Sequence, residues 1–276
     1  MWTTFKNLGG LELFLTSAIT LYVSLGIVAI VLLFISRSSR NYKEKLEIKY
    51  TPAVETVLFS LLFFNKSLEE VLALEEYKSN YKKKTFKKVL LASAFKLHIN
   101  YSGDFNEKLN EFYRKTKLIN VSMAKFHSED WDQVCTGIRE LTQFNVHDIE
   151  PELQKYLITK STNTILQLES ILGLIRLRGV EGLSILLNYK KPVNDWVQTN
   201  ILHAIRHSDR TNVPDFSIFL KSKNESVVVL GLRLIAMFNQ GKHSDLINEM
   251  FMLNGLGRVK NQAELTLDKL ASINLG

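Results

Sequence analysis

His203 and His207 are the pair of residues whose spacing most resembles a metal site. They stand four residues apart on a predicted helix, so both imidazoles would lie on one face. A zinc site of the HExxH type also needs a glutamate directly after the first histidine, and Ala204 occupies that position. No third ligand follows at a convincing spacing. We therefore expect these histidines to be structural or exposed, and we predict no metal and no cofactor.

The other residues that could carry chemistry also lack a complete constellation. Cys135 is the single cysteine and lies in a predicted helix, where such a residue is usually a small buried apolar side chain rather than a reactive thiol. The segment GLGR at 255–258 precedes a helix but follows no strand, which favours an interhelix turn over a phosphate loop. No nucleophile elbow is recognisable. We predict no catalytic, cofactor-binding or metal-binding residues, and no enzyme.

The elements that would position any site begin with an apolar run from Leu13 to Ile35. This run has 23 residues without a charged side chain or a proline. As an α-helix it would be about 35 Å long, enough to cross a hydrocarbon core of about 30 Å. Its hydroxyl groups can bond to carbonyls one turn earlier: Thr16, Ser17, Thr20 and Ser24. We predict a single transmembrane helix at 13–36, after a short tail at 1–12.

A cleaved signal peptide is the alternative for this segment. A signal peptide requires a basic beginning, a shorter apolar stretch and a cleavage site with small residues. Here only Lys6 precedes the run, the run is too long, and it ends in Ser-Arg-Ser-Ser-Arg. We interpret it as an uncleaved anchor that contacts membrane lipid.

The net charge of +7 is concentrated next to this anchor. Residues 37–96 hold 13 Lys or Arg against seven Asp or Glu, whereas residues 97–276 hold 21 against 20. Arg37, Arg40, Lys43 and Lys45 follow the apolar run in a basic juxtamembrane connector at 37–50. The positive-inside rule therefore predicts a single-pass protein of the plasma (inner) membrane, with the N-terminus outside and the C-terminal domain in the cytoplasm. A single cysteine agrees with a reducing compartment.

The densest basic patch lies at the start of a predicted helix at 81–100 and contains Lys82, Lys83, Lys84, Lys87 and Lys88. For nucleic acid this patch would be a phosphate footprint. It lacks the interleaved aromatic residues of single-strand binders, and the rest of the chain is nearly neutral. We expect a solvated or lipid-facing surface, and nucleic acid as a partner is disfavoured.

The chain after residue 51 is predicted to be all helical. Pro52 suits the first turn of a helix at 53–64, and Ser67 with Glu70 forms a capping-box pattern. No stretch shows strand alternation bounded by turn signals. Further helices are predicted at 105–118, 119–126, 129–143, 149–159, 162–178, 180–188, 194–207, 213–221, 225–239, 243–252 and 257–273.

A repeat of about 31 residues runs through the C-terminal half. Asn163, Asn194 and Asn224 each stand near the start of a long predicted helix, as caps. Aliphatic residues follow three positions later, and the same register reaches one unit further in both directions: Val134, Leu166, Val197, Val227 and Val259. Four residues beyond, the side chain is small in three of five cases: Ile138, Ser170, Ile201, Gly231 and Ala263. A shorter helix follows each long one, as in helix hairpins that stack on their neighbours.

The segments NDWVQTNILHAI and NESVVVLGLRLIA in this repeat resemble the first helix of HEAT repeats. The resemblance covers roughly 130–273 and, less clearly, 80–118. The basic residue that commonly follows the valine is matched only by Lys260, which suggests a bacterial short-repeat subtype; the other units have Gln167, Gln198 and Val228. Armadillo and TPR solenoids are the rivals, although the Trp, Gly and Tyr signature of TPR is not visible.

The predicted fold class is therefore all-α: an N-terminal single transmembrane helix followed by a HEAT-like α-solenoid of antiparallel helix pairs over 51–276, with the clearest repeats at 130–273. The resemblance implies a non-enzymatic scaffold whose solenoid binds a protein partner at the membrane surface, with contacts on the concave side made by the shorter helices. The alternative is a HEAT-like module for a nonprotein ligand, either nucleic acid or a lipid or glycan-assembly substrate, because some HEAT-like families are DNA glycosylases.

Overall fold

The computed structural model describes residues 10–64, 66–159, 163–206, 213–253 and 257–274. Every regular element in these ranges is a helix, which confirms the all-α prediction for the described part of the chain. Most of the predicted tail at 1–12 lies outside these ranges. The chain divides into two compact units, Met1–Ser93 and Ala94–Gly276. This division falls inside the range 51–276 that the sequence assigns to one domain.

The first unit is built on one long helix, α1, from Gly10 to Leu62. The prediction that a helix begins at Pro52 is wrong, because Pro52 lies inside α1. The predicted connector at 37–50 is helical throughout. Its Arg, Lys and Glu residues are good helix formers, and a helix that already exists can extend through them without a new nucleation step. Pro52 removes only one backbone donor from this helix.

The segment of α1 from Phe14 to Ile35 is long and apolar enough to cross a membrane, with a mean hydropathy of 2.7 and no part buried against protein. The hydroxyl groups of its four serines and threonines bond to carbonyls in the preceding turn, as predicted. Thr16 donates to the Glu12 carbonyl oxygen at 2.6 Å, and Thr20 donates to that of Thr16 at 2.7 Å. Ser17 and Ser24 donate in the same way. These four hydroxyl groups are therefore satisfied without water.

The rest of the first unit folds back along the C-terminal part of α1. Helices α2 (Leu68–Ala73) and α3 (Glu75–Lys78) both contact α1, and α4 (Lys84–Asn100) begins after a short turn. The capping box at the start of α2 is confirmed: Ser67 accepts a bond from the Glu70 amide, and the Glu70 carboxylate accepts one from the Ser67 amide. Among the residues of α1 whose burial is described, Tyr50 is the first buried one after the apolar segment.

The second unit contains the end of α4 and nine further α-helices in the described ranges. They are α5 (Asp104–Lys115), α6 (Ile119–Phe126), α7 (Trp131–Gln143), α8 (Glu150–Ile158), α9 (Thr164–Arg178), α10 (Asp195–Ile205), α11 (Glu225–Met237), α12 (Ser244–Leu253) and α13 (Arg258–Asn274). Two of the predicted shorter helices, Gly179–Asn188 and Phe216–Lys221, are 3₁₀ segments instead of α-helices.

Helix α9 lies at the centre of the second unit. It packs against α7, α8, α10 and the 3₁₀ segment Gly179–Asn188. All ten residues from Leu166 to Ile175 are buried as a result. Helices α11 and α13 contact each other in the same way that α7 and α9 do, so long helices pack on long helices. Shorter elements then cover them: the segment Phe216–Lys221 packs on α11, and α12 packs on α13.

The predicted repeat register agrees with burial in the second unit. The three asparagine caps are confirmed: Asn163, Asn194 and Asn224 accept bonds from backbone amides two or three residues later. The aliphatic positions are buried except for Val259, which is half-buried, and the positions four residues later are all buried. In the repeat before Asn163 the cap position is shifted by one residue. Its cap is Asp130, which lies four residues before Val134 instead of three.

Candidate interaction surface

An open groove of about 600 Å³ lies between the two 3₁₀ segments of the second unit. One wall comes from the segment that follows α9, and the other from the segment that precedes α11. Most of the side chains that line the groove are apolar, and charged groups lie at its edges. The apolar lining comprises Val180, Leu183, Leu187, Pro214, Ile218 and Phe219. Ile218 is 50% exposed and contributes its apolar surface to the groove.

Two glycines allow the groove walls to pack closely on the long helices. A Cβ on Gly182 would lie 2.8 Å from the Ile175 Cα, so the first wall presses on the backbone of α9. A Cβ on Gly231 would lie 2.6 Å from the Phe219 Cβ, so the second wall presses on α11. These distances are shorter than van der Waals contact, and any larger residue would displace a wall. The backbone contacts at both glycines therefore fix the groove geometry.

Arg178 marks one edge of the groove and is held by Glu150. Its Nε donates to the Glu150 carboxylate at 2.7 Å, and the His147 Nδ1 contacts the other carboxylate oxygen at 2.7 Å. Burial opposes ionisation of Glu150, but hydrogen bonds from His147 and Arg178 outweigh it and lower its pKa. The two interactions hold the Arg178 guanidinium in place at the end of α9.

Asp215 marks the opposite edge and also caps the second wall. Its carboxylate accepts from the Ser217 amide at 2.8 Å, and it pairs with Lys242 at 3.2 Å and with His243 at 2.8 Å. Burial raises the pKa of this carboxyl, but the bonds from Ser217 and Lys242 and the charge of His243 hold it well below its usual range. Gln240 bonds to both Pro214 and Phe216, so this edge is tied to the end of α11.

Two buried glutamines connect successive repeats. The Gln198 amide nitrogen donates to the Val193 and Ser226 carbonyl oxygens at 3.0 and 3.1 Å, and its oxygen accepts from Arg233 at 3.0 Å. Gln167 likewise accepts a bond from Lys191 at 2.8 Å. These are two of the positions where the sequence departs from the HEAT pattern. The Gln198 amide both donates to these carbonyls and accepts from Arg233, whereas a basic side chain could donate but could not accept the bond from Arg233.

A buried carboxylate holds two arginines on the long helices. Glu169 is 2% exposed and lies 2.7 Å from Arg139 and 3.4 Å from Arg176. The Arg139 guanidinium lies 5.9 Å from the ring centroid of Trp196, which is 56% exposed. An exposed tryptophan on an ordered arginine is a common feature of protein-binding surfaces. The sequence places Trp196 in a repeat but does not single it out as a contact residue. It does not single out Glu169 either, because the helix around this residue is largely apolar.

The residues that the sequence singles out for chemistry are not brought together in the described part of the chain. Cys135 is buried, and burial raises the pKa of its thiol to about 11, which makes the thiolate scarce at neutral pH. His203 is exposed on α10, while His207 and most of GLGR lie outside the described residues. No cluster of three potential metal ligands occurs among the described residues.

His98 is a buried group that the sequence does not indicate. It is 4% exposed, its Nε2 contacts the Asn110 side chain at 3.0 Å, and its Nδ1 contacts that of Gln143 at 3.1 Å. Burial lowers its pKa despite the hydrogen bond with Asn110. Because both of these partners are neutral amides, His98 connects α4, α5 and α7 as an uncharged ring.

Comparison with models of protein families, with curated proteins and with solved structures finds no match for this chain. The resemblance to HEAT repeats therefore stays a prediction that rests on the residues themselves.

Proposed function

We propose that this chain is a non-enzymatic, membrane-anchored scaffold that binds a protein partner through a HEAT-like solenoid in its second unit. The observation that carries the proposal is the groove between Gly179–Asn188 and Phe216–Lys221. It lies between the shorter elements of successive repeats, where the resemblance predicts the contacts. Its lining is apolar and its edges hold ordered charges, as in protein-binding grooves.

The anchor in this proposal is the segment Phe14–Ile35, inserted as a single-pass helix in the plasma (inner) membrane. The basic residues that follow it support an N-terminus outside and both units in the cytoplasm. Tethering matters energetically, because a partner in the same membrane has a high effective concentration. Even a weak contact in the groove then gives substantial occupancy.

Two isoleucines of equal exposure provide a matched test. Ile218 lies in the groove and is 50% exposed, whereas Ile165 lies near the start of α9 and is 49% exposed. Affinity purification of the tagged full chain from solubilised membranes should recover a defined protein. Ile218→Glu should reduce that recovery at least about tenfold, because a charge is placed in an apolar contact. Ile165→Glu should leave it unchanged.

Equal loss in both variants would contradict the groove assignment. Recovery of nucleic acid that falls steeply with salt would contradict the scaffold proposal and favour a nonprotein ligand.

A further inference from the structure

The first unit carries an exposed basic surface that the scaffold proposal does not use. We propose that the segment Lys78–Lys88, called here the lysine turn, binds anionic phospholipid headgroups of the same membrane that α1 spans. The inference rests on the proposed insertion of α1. It adds a second, electrostatic contact with the membrane. This contact would set the tilt of α1 in the bilayer.

The lysine turn has a defined structure. Tyr77 and Tyr81 stack with their ring centroids 5.6 Å apart, and the Tyr81 amide donates to the Tyr77 carbonyl oxygen at 2.8 Å. The Lys83 ammonium donates to the Asn80 side chain at 2.8 Å, and that of Lys87 lies 5.0 Å from the Tyr81 ring centroid. The backbone and rings thus hold the lysines together on one surface.

The charges of the turn are not neutralised within the protein. It contains six lysines: Lys78, Lys82, Lys83, Lys84, Lys87 and Lys88. Five of them are exposed, and Lys87 is half-buried. None of them forms an ion pair with a carboxylate in the described part of the chain, although ion pairs are frequent in the second unit. Such a group of unpaired lysines is the chemistry that attracts anionic headgroups.

The topology of the first unit places this turn at its membrane-facing end. The chain leaves the apolar segment along α1, turns after Leu62, and returns through α2 and α3. At the end of this return, the Lys83 ammonium lies 5.8 Å from the Tyr50 ring centroid, and the Phe86 ring is also 5.8 Å from it. Of the residues of α1 whose burial is described, Tyr50 is the buried one nearest to the apolar segment, so the turn lies beside the start of the packed part of the unit.

The geometry of α1 determines whether the lysines can reach the lipid. Tyr50 follows Ile35 by fifteen residues of continuous helix, or about 22 Å along its axis. If α1 stood along the membrane normal, the turn would lie about 15 Å beyond a headgroup layer of roughly 5–7 Å. That gap exceeds the Debye length of about 8–10 Å at physiological ionic strength. With the lysine side chains extended by about 6 Å, an upright helix would still keep their ammonium groups about 9 Å beyond the headgroups, out of direct contact.

A tilt within the usual range of spanning helices closes the gap. At about 30°, Tyr50 lies about 19 Å from the hydrocarbon edge. The lysine turn lies about one helix diameter, about 10 Å, to the side of α1. If α1 tilts toward that side, the turn comes closer to the bilayer by a further 5 Å, roughly. Lysine side chains extend about 6 Å, so their ammonium groups would lie about 8 Å from the hydrocarbon edge, at the outer surface of the headgroup layer. The side chains between Arg37 and Lys49 whose burial is described are all exposed, so none of them opposes this tilt.

The test measures the distance of the turn from the bilayer in the full-length chain. Cys135→Ala with Ser79→Cys gives one dye site beside the lysines, and headgroup-labelled lipid serves as the energy acceptor. We compare vesicles of phosphatidylcholine with vesicles that also contain about 30 mol% phosphatidylserine. Energy transfer should rise with phosphatidylserine and return to its initial value at about 1 M salt, where the Debye length is about 3 Å.

Two triple variants that remove the same charge localise the effect. Lys82→Gln, Lys84→Gln and Lys88→Gln alter exposed lysines of the turn and spare the lysines that contact tyrosines. Lys190→Gln, Lys221→Gln and Lys223→Gln alter exposed lysines of the second unit. The first triple variant should lose most of the response to phosphatidylserine, and the second should keep it.

No response in the unsubstituted turn, or equal loss in both triples, would overturn the proposal. The second result would show that only net charge matters, and would leave room for an acidic protein as the partner of the turn. Alkaline extraction of the same vesicles reports on the span alone. A chain that is washed off would contradict the insertion of α1, whereas a retained chain without a lipid response contradicts only the lysine turn.

Discussion

The apolar segment of α1 and the middle of α9 are both helices without a polar face, but their surroundings are opposite. Residues Leu166–Ile175 of α9 are covered on all sides by other elements of the second unit. The segment Phe14–Ile35 is not covered by any of the described residues. Its large apolar side chains are exposed, and that of Phe34 is 75% exposed. Exposing so many apolar side chains to water is unfavourable by about 25 cal/mol for each Å². The described residues of the chain do not supply an apolar environment for this segment.

The difference extends to how each helix treats charge. Helix α9 contains Glu169, and two arginines from α7 and α9 itself neutralise it. The segment Phe14–Ile35 contains no charged residue at all. A buried charge is tolerated where the protein can provide a partner, and lipid cannot provide one. The paired charge of Glu169 is therefore a feature of a helix in a protein interior, and the segment Phe14–Ile35 lacks any such feature.

The largest expected difference between the two helices is their response to an introduced charge. Leu172→Arg places an unpaired charge in the core of the second unit, where it costs several kcal/mol out of a total stability of about 5–15 kcal/mol. That variant should lose its cooperative thermal unfolding, measured by circular dichroism. Leu25→Arg with Val28→Arg should leave the unfolding transition in place, because these side chains contact no protein.

The same double variant should weaken membrane insertion by about 2.5–3.5 kcal/mol per arginine. Membrane fractionation measures this loss. A double variant that unfolds like Leu172→Arg would show that the apolar segment packs in the protein core.

Truncating one buried and one exposed leucine tests the helix register of the second unit. Leu232 on α11 is completely buried, and Leu265 on α13 is 62% exposed. Leu232→Ala should lower the free energy of unfolding by about 2–5 kcal/mol, and Leu265→Ala by less than about 0.5 kcal/mol. Denaturant titration of the solubilised chain measures both. A cost below about 0.5 kcal/mol for Leu232→Ala would mean that the helix register is wrong.

The smallest expected effect comes from pH and concerns only the second unit. Burial lowers the pKa of His98, so the unfolded chain binds a proton there before the folded chain does. Stability should therefore fall as pH decreases below about 6.5, by at most about 1.4 kcal/mol for each pH unit. Glu150 and Asp215, whose pKa values are lowered, contribute a loss only below about pH 4.5.

His98→Gln is the matched variant for this prediction. Denaturant titration between pH 7 and pH 5 should show a smaller pH dependence in the variant than in the parent chain. Equal dependence in the two chains would assign the effect to other groups.

Much of the second unit could be predicted because its signals are local. Asn163, Asn194 and Asn224 cap helices through bonds to residues two or three positions away, and the apolar register follows from helical periodicity. The charged residues at 37–50 predict a connector, but α1 is continuous through them because charged residues do not end a helix that is already formed. The distinction between α and 3₁₀ geometry in Gly179–Asn188 depends on packing against α9 at Gly182, which no local pattern contains.

The groove could not be predicted at the level of residues for a similar reason. Its walls are separated by about 30 residues in the sequence and meet only because α9 and α11 position them. The edge residues Arg178 and Asp215 are unremarkable as types, and their ion pairs come from distant positions. The sequence predicts contacts on the shorter elements of the repeats but does not identify the residues that line this groove.

The most direct measurement on the central claim combines extraction and protease protection in sealed cells that produce the full chain with a C-terminal tag. We expect the chain to stay with the membrane after an alkaline wash. We also expect protease added from outside to leave both units intact until detergent opens the membrane. Release by the alkaline wash would contradict insertion of Phe14–Ile35, and digestion of the tagged part in sealed cells would contradict a cytoplasmic location of the scaffold.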